Sequence, residues 1–267
     1  MKTISALTTA IAGWLCATGI VQAQSGKASI INVYDGFETK SLNSSLWSND
    51  RFESGAVEVE TNIVRAGHSA LKITVRPHDK FEAGSPGTSG SERSELLEAK
   101  KLVGKENTPY EFSFSMFFPT NFSIEPTRLV IAQWKQLCSE GGACSDDSPV
   151  LAVRYINGEL RITQNINSPH ETRLWTGKGE FRGRWLDFKF QVRFATNETG
   201  RVKAWLDGKQ ILDFKGVTAD TESAATGYPS PSRFYFKMGL YRNSMPNPWT
   251  SYIDEYRKKQ LVNGELE

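Results

Sequence analysis

The chain has 267 residues, of which 23% are charged, with 32 Lys and Arg against 30 Asp and Glu. This near balance excludes the charge excess that would point to nucleic acid as a partner, so attraction to a polyanion must come from a local cluster of charge. The length suffices for one substantial core, and all-β domains of this size are commonly single.

The N-terminus predicts a secretory signal peptide. Met1-Lys2-Thr3 is short and basic, residues 4–20 are mainly apolar, and Val21-Gln22-Ala23 ends in a small residue suited to cleavage. A membrane anchor is the alternative, but the apolar stretch is short and lacks flanking stop-transfer charges. We therefore expect cleavage after Ala23, and a mature chain of residues 24–267 that is secreted or periplasmic and not membrane-bound.

Two cysteines remain in the mature chain, Cys138 and Cys144. Export would deliver them to an oxidising compartment, and their spacing would close a short loop. No nearby Cys or His completes a zinc set. We predict a disulfide between them, with free thiols or half a metal site as the alternatives.

Short strands separated by turn signals follow one another along the mature chain. Asn157-Gly158 and Asp207-Gly208 are pairs favoured in the tight type I′ turns of hairpins. No long amphipathic helix, repeat or linker interrupts the pattern. It predicts an all-β fold in one domain over residues 24–267, a β-jelly roll that is a concanavalin A-like sandwich of two antiparallel sheets. The predicted strands include 69–75, 91–96, 110–118, 129–135, 151–155, 159–163, 185–194, 201–206, 209–213 and 233–241.

Two of these strands carry polar residues at the two-residue spacing that places side chains on one sheet face. Arg93 and Glu95 share a face, and so do Lys237, Gly239 and Tyr241. Gly239 leaves the sheet surface bare, which would let a ligand approach the backbone.

A third strand, residues 129–135, places Gln133 and Lys135 on one face with Ile131, and its alternation predicts an apolar opposite face. A solvated polar face is the ordinary alternative for any one strand. Together, however, a tyrosine, an amide and several cations make a site suited to an acidic sugar. The predicted apolar face carries Val130, Ala132 and Trp134.

Three segments resemble the signature strands of jelly-roll polysaccharide lyases: Arg93-Ser-Glu-Leu96, Gln133-Trp-Lys135 and Tyr235-Phe-Lys-Met-Gly-Leu-Tyr241. They are similar to the Arg-Ser/Thr-Glu-Leu, Gln-x-His and Tyr-Phe-Lys-x-Gly-x-Tyr strands of family 7 alginate lyases. Heparin lyase I and the family 20 glucuronan lyases look like relatives, and the compact length suits the glucuronan lyases. The resemblance implies β-elimination on a uronic-acid polymer, glucuronan first, with alginate or heparin-type substrates as alternatives.

A lyase must neutralise the uronate carboxylate, take the C5 proton and protonate the leaving oxygen. We assign Arg93 and Gln133 to the carboxylate, with Lys135 assisting, and Tyr241 to the proton transfers beside Lys237. Lys135 stands where these lyases carry a histidine. A lysine replaces that histidine as a carboxylate contact by its charge, which leaves the identity of the base open.

The remaining site candidates would hold substrate. Glu95 would fix Arg93 in place. Arg154, Arg161 and Trp175 would line a sugar groove, and the loop residue His170 would reach it as a further base. A surface histidine and core aromatics are the alternatives.

A structural Ca²⁺ is the one cofactor considered, because Glu38 and Asp254 near the two chain ends supply suitable oxygens; surface carboxylates are the alternative. A laminarinase-like glycoside hydrolase, a further alternative, needs closely spaced carboxyls on one strand, and no predicted strand offers them on a credible site face. A non-catalytic carbohydrate-binding jelly roll stays open. We expect a monomer whose partner is an anionic polysaccharide.

Overall fold

The computed structural model describes residues 30–84, 89–137, 148–168, 170–221, 231–262 and 266. Within these ranges the regular structure is β-strand, apart from a 3₁₀ turn at Lys100–Leu102. The strands are β1 (Asn32–Asp35), β2 (Trp47–Ser48), β3 (Val57–Glu60), β4 (Ala70–Val75), β5 (Ser91–Glu98), β6 (Gly104–Lys105), β7 (Pro109–Phe117), β8 (Leu129–Gln136), β9 (Leu151–Ile156), β10 (Glu159–Gln164), β11 (Thr172–Lys178), β12 (Trp185–Arg193), β13 (Arg201–Leu206), β14 (Lys209–Lys215), β15 (Arg233–Asn243) and β16 (Trp249–Gln260).

These strands form two antiparallel sheets of eight, which confirms the predicted jelly-roll sandwich. The back sheet has the order β14-β13-β12-β7-β16-β4-β3, with β1 paired to β16. The site sheet has the order β11-β10-β9-β8-β15-β5-β2, with β6 paired to β15. The described ranges hold no helix with the length and apolar character needed to cross a membrane.

Aromatic side chains from both sheets fill the space between them. Trp134 on β8 contacts Phe112 of the back sheet at 5.4 Å and Phe190 at 4.9 Å between ring centroids. Phe236 on β15 lies 4.9 Å from Trp134, and both rings are fully buried. Because successive strand residues point to opposite faces, these rings direct the residues beside them to the outer face of the site sheet.

Both predicted hairpins are confirmed. Asn157 and Gly158 connect β9 to β10 with φ of 51° and 76°, and Asp207 and Gly208 connect β13 to β14 with φ of 51° and 79°. Positive φ at both central residues is what a type I′ turn requires.

A buried ion pair links the two sheets. Lys258 on β16 donates to Glu98 on β5 at 2.8 Å, and both side chains are fully buried. Tyr256 also donates to Glu98, and the backbone N–H of Phe236 donates to it at 3.2 Å. The carboxylate thus holds groups from both sheets at a single point.

We expect Lys258→Met to lower the free energy of unfolding by about 3–5 kcal/mol, because it leaves the Glu98 carboxylate buried without its cation. The double variant Glu98→Gln/Lys258→Met removes both charges and should recover part of that loss. Urea denaturation measures both effects. A single variant as stable as the unchanged protein would contradict this role for the pair.

Candidate active site

The five predicted catalytic residues lie around one pocket on the outer face of the site sheet. Strands β5, β8, β9 and β15 supply most of its wall. Among the described residues that line it there are five cations and no carboxylate. The lining residues are Arg93, Arg128, Val130, Gln133, Lys135, Ser148, Pro149, Arg154, Lys237 and Tyr241.

Glu95 lies beneath this pocket and holds three of its members. The side chain is 1% exposed. Its carboxylate accepts a hydrogen bond from Nε2 of Gln133 and lies 3.5 Å from a terminal nitrogen of Arg93 and 3.4 Å from Nζ of Lys237. A carboxylate shared by an amide and two cations fixes their directions, so Glu95 orients the site.

Positive charge still predominates around Lys237. Burial lowers the pKa of Lys237 to about 8; the nearby charge of Glu95 opposes this shift, while Arg93 and Lys135 add to it. The lysine therefore loses its proton close to neutral pH. An anion entering the pocket would restore the charge balance.

Two guanidinium groups cover the ring of Tyr241. The Cζ atom of Arg93 lies 4.1 Å from the ring centroid and that of Arg128 lies 4.3 Å from it. The hydroxyl lies 3.4 Å from Oγ of Ser91, and Asn243 accepts a hydrogen bond from Nε of Arg128 at 3.0 Å. The two guanidinium groups hold the ring in place, and Asn243 holds Arg128 over it.

Arg128 is a site residue that the sequence interpretation missed. It precedes β8 and therefore lies outside the alternating pattern used to find the site. It also borders a second depression beyond Tyr241, which is lined by Glu82, Ser91 and Asn243 among others. Glu82 was missed as well, and its carboxylate pairs with Arg93.

The predicted alternation of β8 is wrong at its start. Ile131 was expected beside Gln133, with Val130 on the apolar face, but Ile131 packs in the core and Val130 lines the pocket. The neighbouring strand β9 pairs with residues 130 and 132 and skips 131, which is a β-bulge. One extra residue reverses the face of everything before it, and the apolar sequence around it gives no sign of its position.

Gly239 has a different role from the one expected. Its φ is 142°, and a Cβ atom there would lie 2.3 Å from the backbone oxygen of Ser94 and 2.8 Å from Cα of Glu95. The register of β15 against β8 shifts at the same place. Glycine therefore permits the close approach of β15 to β5, and the expectation of a bare patch for a ligand does not explain it.

Arg154 and Arg161 lie on the outer face; Arg154 lines the pocket, and Arg161 is not among its lining residues. Arg154 is buried, donates from Nε to Oγ1 of Thr163 at 3.1 Å and pairs with Glu171 at 2.6 Å. Arg161 pairs with Glu159 at 2.8 Å. Burial lowers the pKa of Arg154, and the nearby cations Arg128 and Arg161 add to this effect.

Trp175 does not line the groove, so that prediction is wrong. It pairs across β10–β11 with the core residue Ile162, and its ring packs against the core. The side chain of Trp175 therefore points to the inner face of the site sheet. His170 is exposed and is not among the residues that line the pocket, although the next residue, Glu171, holds Arg154.

Glu38 and Asp254, the residues predicted to hold calcium, each accept backbone hydrogen bonds. Asp254 accepts hydrogen bonds from the backbone N–H groups of Arg65 and Ala66 at 2.9 and 3.2 Å, and Glu38 accepts from that of His68 at 3.0 Å. The structural Ca²⁺ stays a prediction. The described ranges contain no group of three or more His, Cys, Asp and Glu side chains placed to hold a metal ion.

Cys138 and Cys144 lie outside the described residues, and so does the predicted signal peptide. The disulfide and the cleavage after Ala23 stay predictions.

The family of this chain follows from its sequence match. Residues 31–257 match the model of the family described as polysaccharide lyase. The chain belongs to this polysaccharide lyase family. It is therefore a polysaccharide lyase, as the resemblance of its three strands implies.

Solved structures of similar fold support the architecture of this lyase. An endo-β-1,4-glucuronan lyase from the fungus Trichoderma reesei matches with a TM-score of 0.64 and 21% identity over 86% of this chain and 95% of that one. The family 7 alginate lyase AlgAT5 gives 0.53 and 14% over 79% and 84%, and the cellulose induced protein Cip1 gives 0.54 and 13% over 86% and 97%. No curated protein matches the sequence.

We expect Arg128→Gln to lower kcat/KM for lyase activity about tenfold, because it removes one of the two cations over Tyr241; a cation–π contact is worth up to ~2 kcal/mol. The matched control is Arg193→Gln on the back sheet, since Arg193 is also half-buried and also donates from Nε to a neutral oxygen, that of Thr199, at 2.7 Å. Equal activity of both variants would contradict a role for Arg128.

Proposed function

We propose that this polysaccharide lyase is an exported enzyme that cleaves a glucuronan by β-elimination in the pocket around Tyr241. The observation that carries the proposal is the lining of that pocket, which brings five cations and one amide around a tyrosine. Such a lining suits a polymer that carries a carboxylate on each sugar. The similarity to a glucuronan lyase favours glucuronan over alginate.

In the proposed reaction the sugar carboxylate lies against Arg93, Gln133 and Lys135. Their hydrogen bonds and charges stabilise the negative charge that develops when the C5 proton leaves. The electron pair of the C5–H bond forms the C4–C5 double bond as the C4–O bond breaks. The leaving oxygen takes up a proton, so one new chain end is unsaturated and the other is an ordinary hydroxyl.

Tyr241 is the group proposed to move both protons. Its ring is held by Arg93 and Arg128, and we assign to its phenolate the uptake of the C5 proton. The phenol thus formed then donates to the leaving oxygen. Lys135 replaces the family's histidine as a carboxylate contact, and Lys237 contributes positive charge from below.

The composition of the pocket disfavours a glycoside hydrolase. Retaining hydrolysis needs two carboxyl groups about 5–5.5 Å apart, and inverting hydrolysis needs them about 6.5–9.5 Å apart. The described residues that line the pocket include no carboxylate, and Glu95 is buried beneath them. A binding module without catalysis is separated from a lyase by the first assay below.

Export is the part of the proposal that rests on the sequence. Residues 1–23 carry the features of a signal peptide, and an extracellular or periplasmic location suits an enzyme whose substrate is a polymer. The Cys138–Cys144 disulfide would form in the same compartment.

We expect the purified protein to release ultraviolet-absorbing unsaturated ends from polyglucuronate, more slowly from alginate and heparin. Tyr241→Phe should lower kcat by about 10²–10⁴-fold, because proton transfer loses its side chain. Tyr252→Phe, on the back sheet, is the matched control and should leave the rate unchanged. New reducing ends without absorbance would indicate a hydrolase, and binding without product would indicate a binding module.

The pKa of Lys237 near 8 gives the activity a pH dependence. Above this pH the lysine becomes neutral and attracts the substrate carboxylate less, so kcat/KM should fall through pH of about 8. In Lys237→Gln, kcat/KM should be lower at every pH, and the fall near pH of about 8 should disappear. A kcat/KM that instead rises through this pH range, with the rise lost in Lys237→Gln, would contradict this role. It would indicate that the neutral amine of Lys237 acts as the base.

A further inference from the structure

Six residues of the site sheet lie on one line across its strands. The register pairs Tyr241 with Arg93 on one side and with Val130 on the other, Val130 with Arg154, Arg154 with Arg161, and Arg161 with Thr176. Neighbouring strands are about 4.8 Å apart, so Arg154 and Arg161 lie roughly 10 and 14 Å from the strand of Tyr241.

Arg154 and Arg161 face each other across β9 and β10 with like charges. Residues directly opposite in an antiparallel pair have Cβ atoms about 4.5–5.5 Å apart, and like charges there are destabilising. Each is held by a carboxylate of its own, Glu171 for Arg154 and Glu159 for Arg161. These carboxylates offset the repulsion and hold both guanidinium groups in fixed positions on the outer face of the site sheet.

The guanidinium of Arg154 retains capacity for such a ligand. Its hydrogen bond to Thr163 and its ion pair with Glu171 both use Nε. In the described part of the chain these contacts leave its two terminal nitrogens for the pocket that it lines. Two parallel N–H donors match the two oxygens of a carboxylate.

The opposite end of this line of residues, at Arg93, has an acidic side chain beside it. Arg93 there pairs with Glu82, whose side chain is 52% exposed. The second depression, beyond Tyr241, is lined by Glu82, Ser91 and Asn243, with Arg128 as its cation. The described lining on the side of Arg154 has no carboxylate, so the basic lining extends from Tyr241 towards β9, in one direction.

We propose that Arg154 and Arg161 form a second carboxylate-binding subsite, which holds the uronate units two and three places along the polymer from the unit at Tyr241. A pyranose unit in a 1,4-linked chain is about as long as one strand spacing, so a chain lying across the strands places successive units over β15, β8, β9 and β10. This inference rests on the proposed uronan lyase function. It makes the enzyme selective for consecutive uronates.

The experiment compares glucuronate oligomers of two lengths on Arg161→Gln. A hexasaccharide reaches β10, so its KM should rise about tenfold, the loss expected for a hydrogen bond to a charged group, with kcat nearly unchanged. A trisaccharide with its reducing end at Tyr241 keeps a cleavable C4–O bond to its second unit and ends over β9, before β10. Its KM should therefore be the same in the variant and the unchanged enzyme.

The matched control is Arg201→Gln on the back sheet. Arg201 has an ion pair of the same length, 2.8 Å to Asp213, and a similar exposure, 22% against 18% for Arg161. Its KM should not change for either oligomer. Equal KM values for the hexasaccharide in Arg161→Gln and the unchanged enzyme would overturn the subsite, as would an equal rise for both lengths. An unchanged enzyme that releases no unsaturated product from any uronan would overturn the lyase proposal itself.

Discussion

The alternation of the central strands is the constraint on which the rest of this molecule depends. Trp134 and Phe236 must point inward to fill the space between the sheets, and they are fully buried there. Their neighbours Gln133, Lys135 and Lys237 are thereby directed to the other face. The same hydrophobic burial that stabilises the sandwich thus places the strand residues of the polar pocket.

The buried carboxylate of Glu95 offsets the repulsion between the cations of this pocket. Arg93 and Lys237 would repel each other without Glu95, which is fully buried between them and also holds Gln133. The pocket nevertheless keeps more positive than negative charge, because its described lining has five basic side chains and no carboxylate. An unbalanced site is unfavourable while empty and becomes favourable with an anion, which is the property that a lyase acting on a polyanion needs.

The sequence correctly predicted the features that depend on local pattern, such as hairpin turns. It did not predict features that depend on tertiary structure, such as bulges. The hairpins at residues 157–158 and 207–208 follow from turn chemistry, and the outward face of Lys237 and Tyr241 follows from strict alternation in β15. The bulge at Ile131 reverses the face of Val130, and nothing in a run of apolar residues marks it. Trp175 illustrates the same limit, because the register of an edge strand, which a bulge shifts, decides whether an aromatic faces sugar or core.

The central claim is that the concentrated positive charge around Tyr241 holds a uronate for elimination. The most direct test is a crystal structure of Tyr241→Phe with a glucuronate hexasaccharide, in which cleavage is blocked but the cations remain. We expect one sugar carboxylate on Arg93, Gln133 and Lys135, with C5 of that unit facing residue 241 and the chain running across the strands. An oligosaccharide bound to the back sheet, or along the strands with its carboxylates away from these groups, would contradict it.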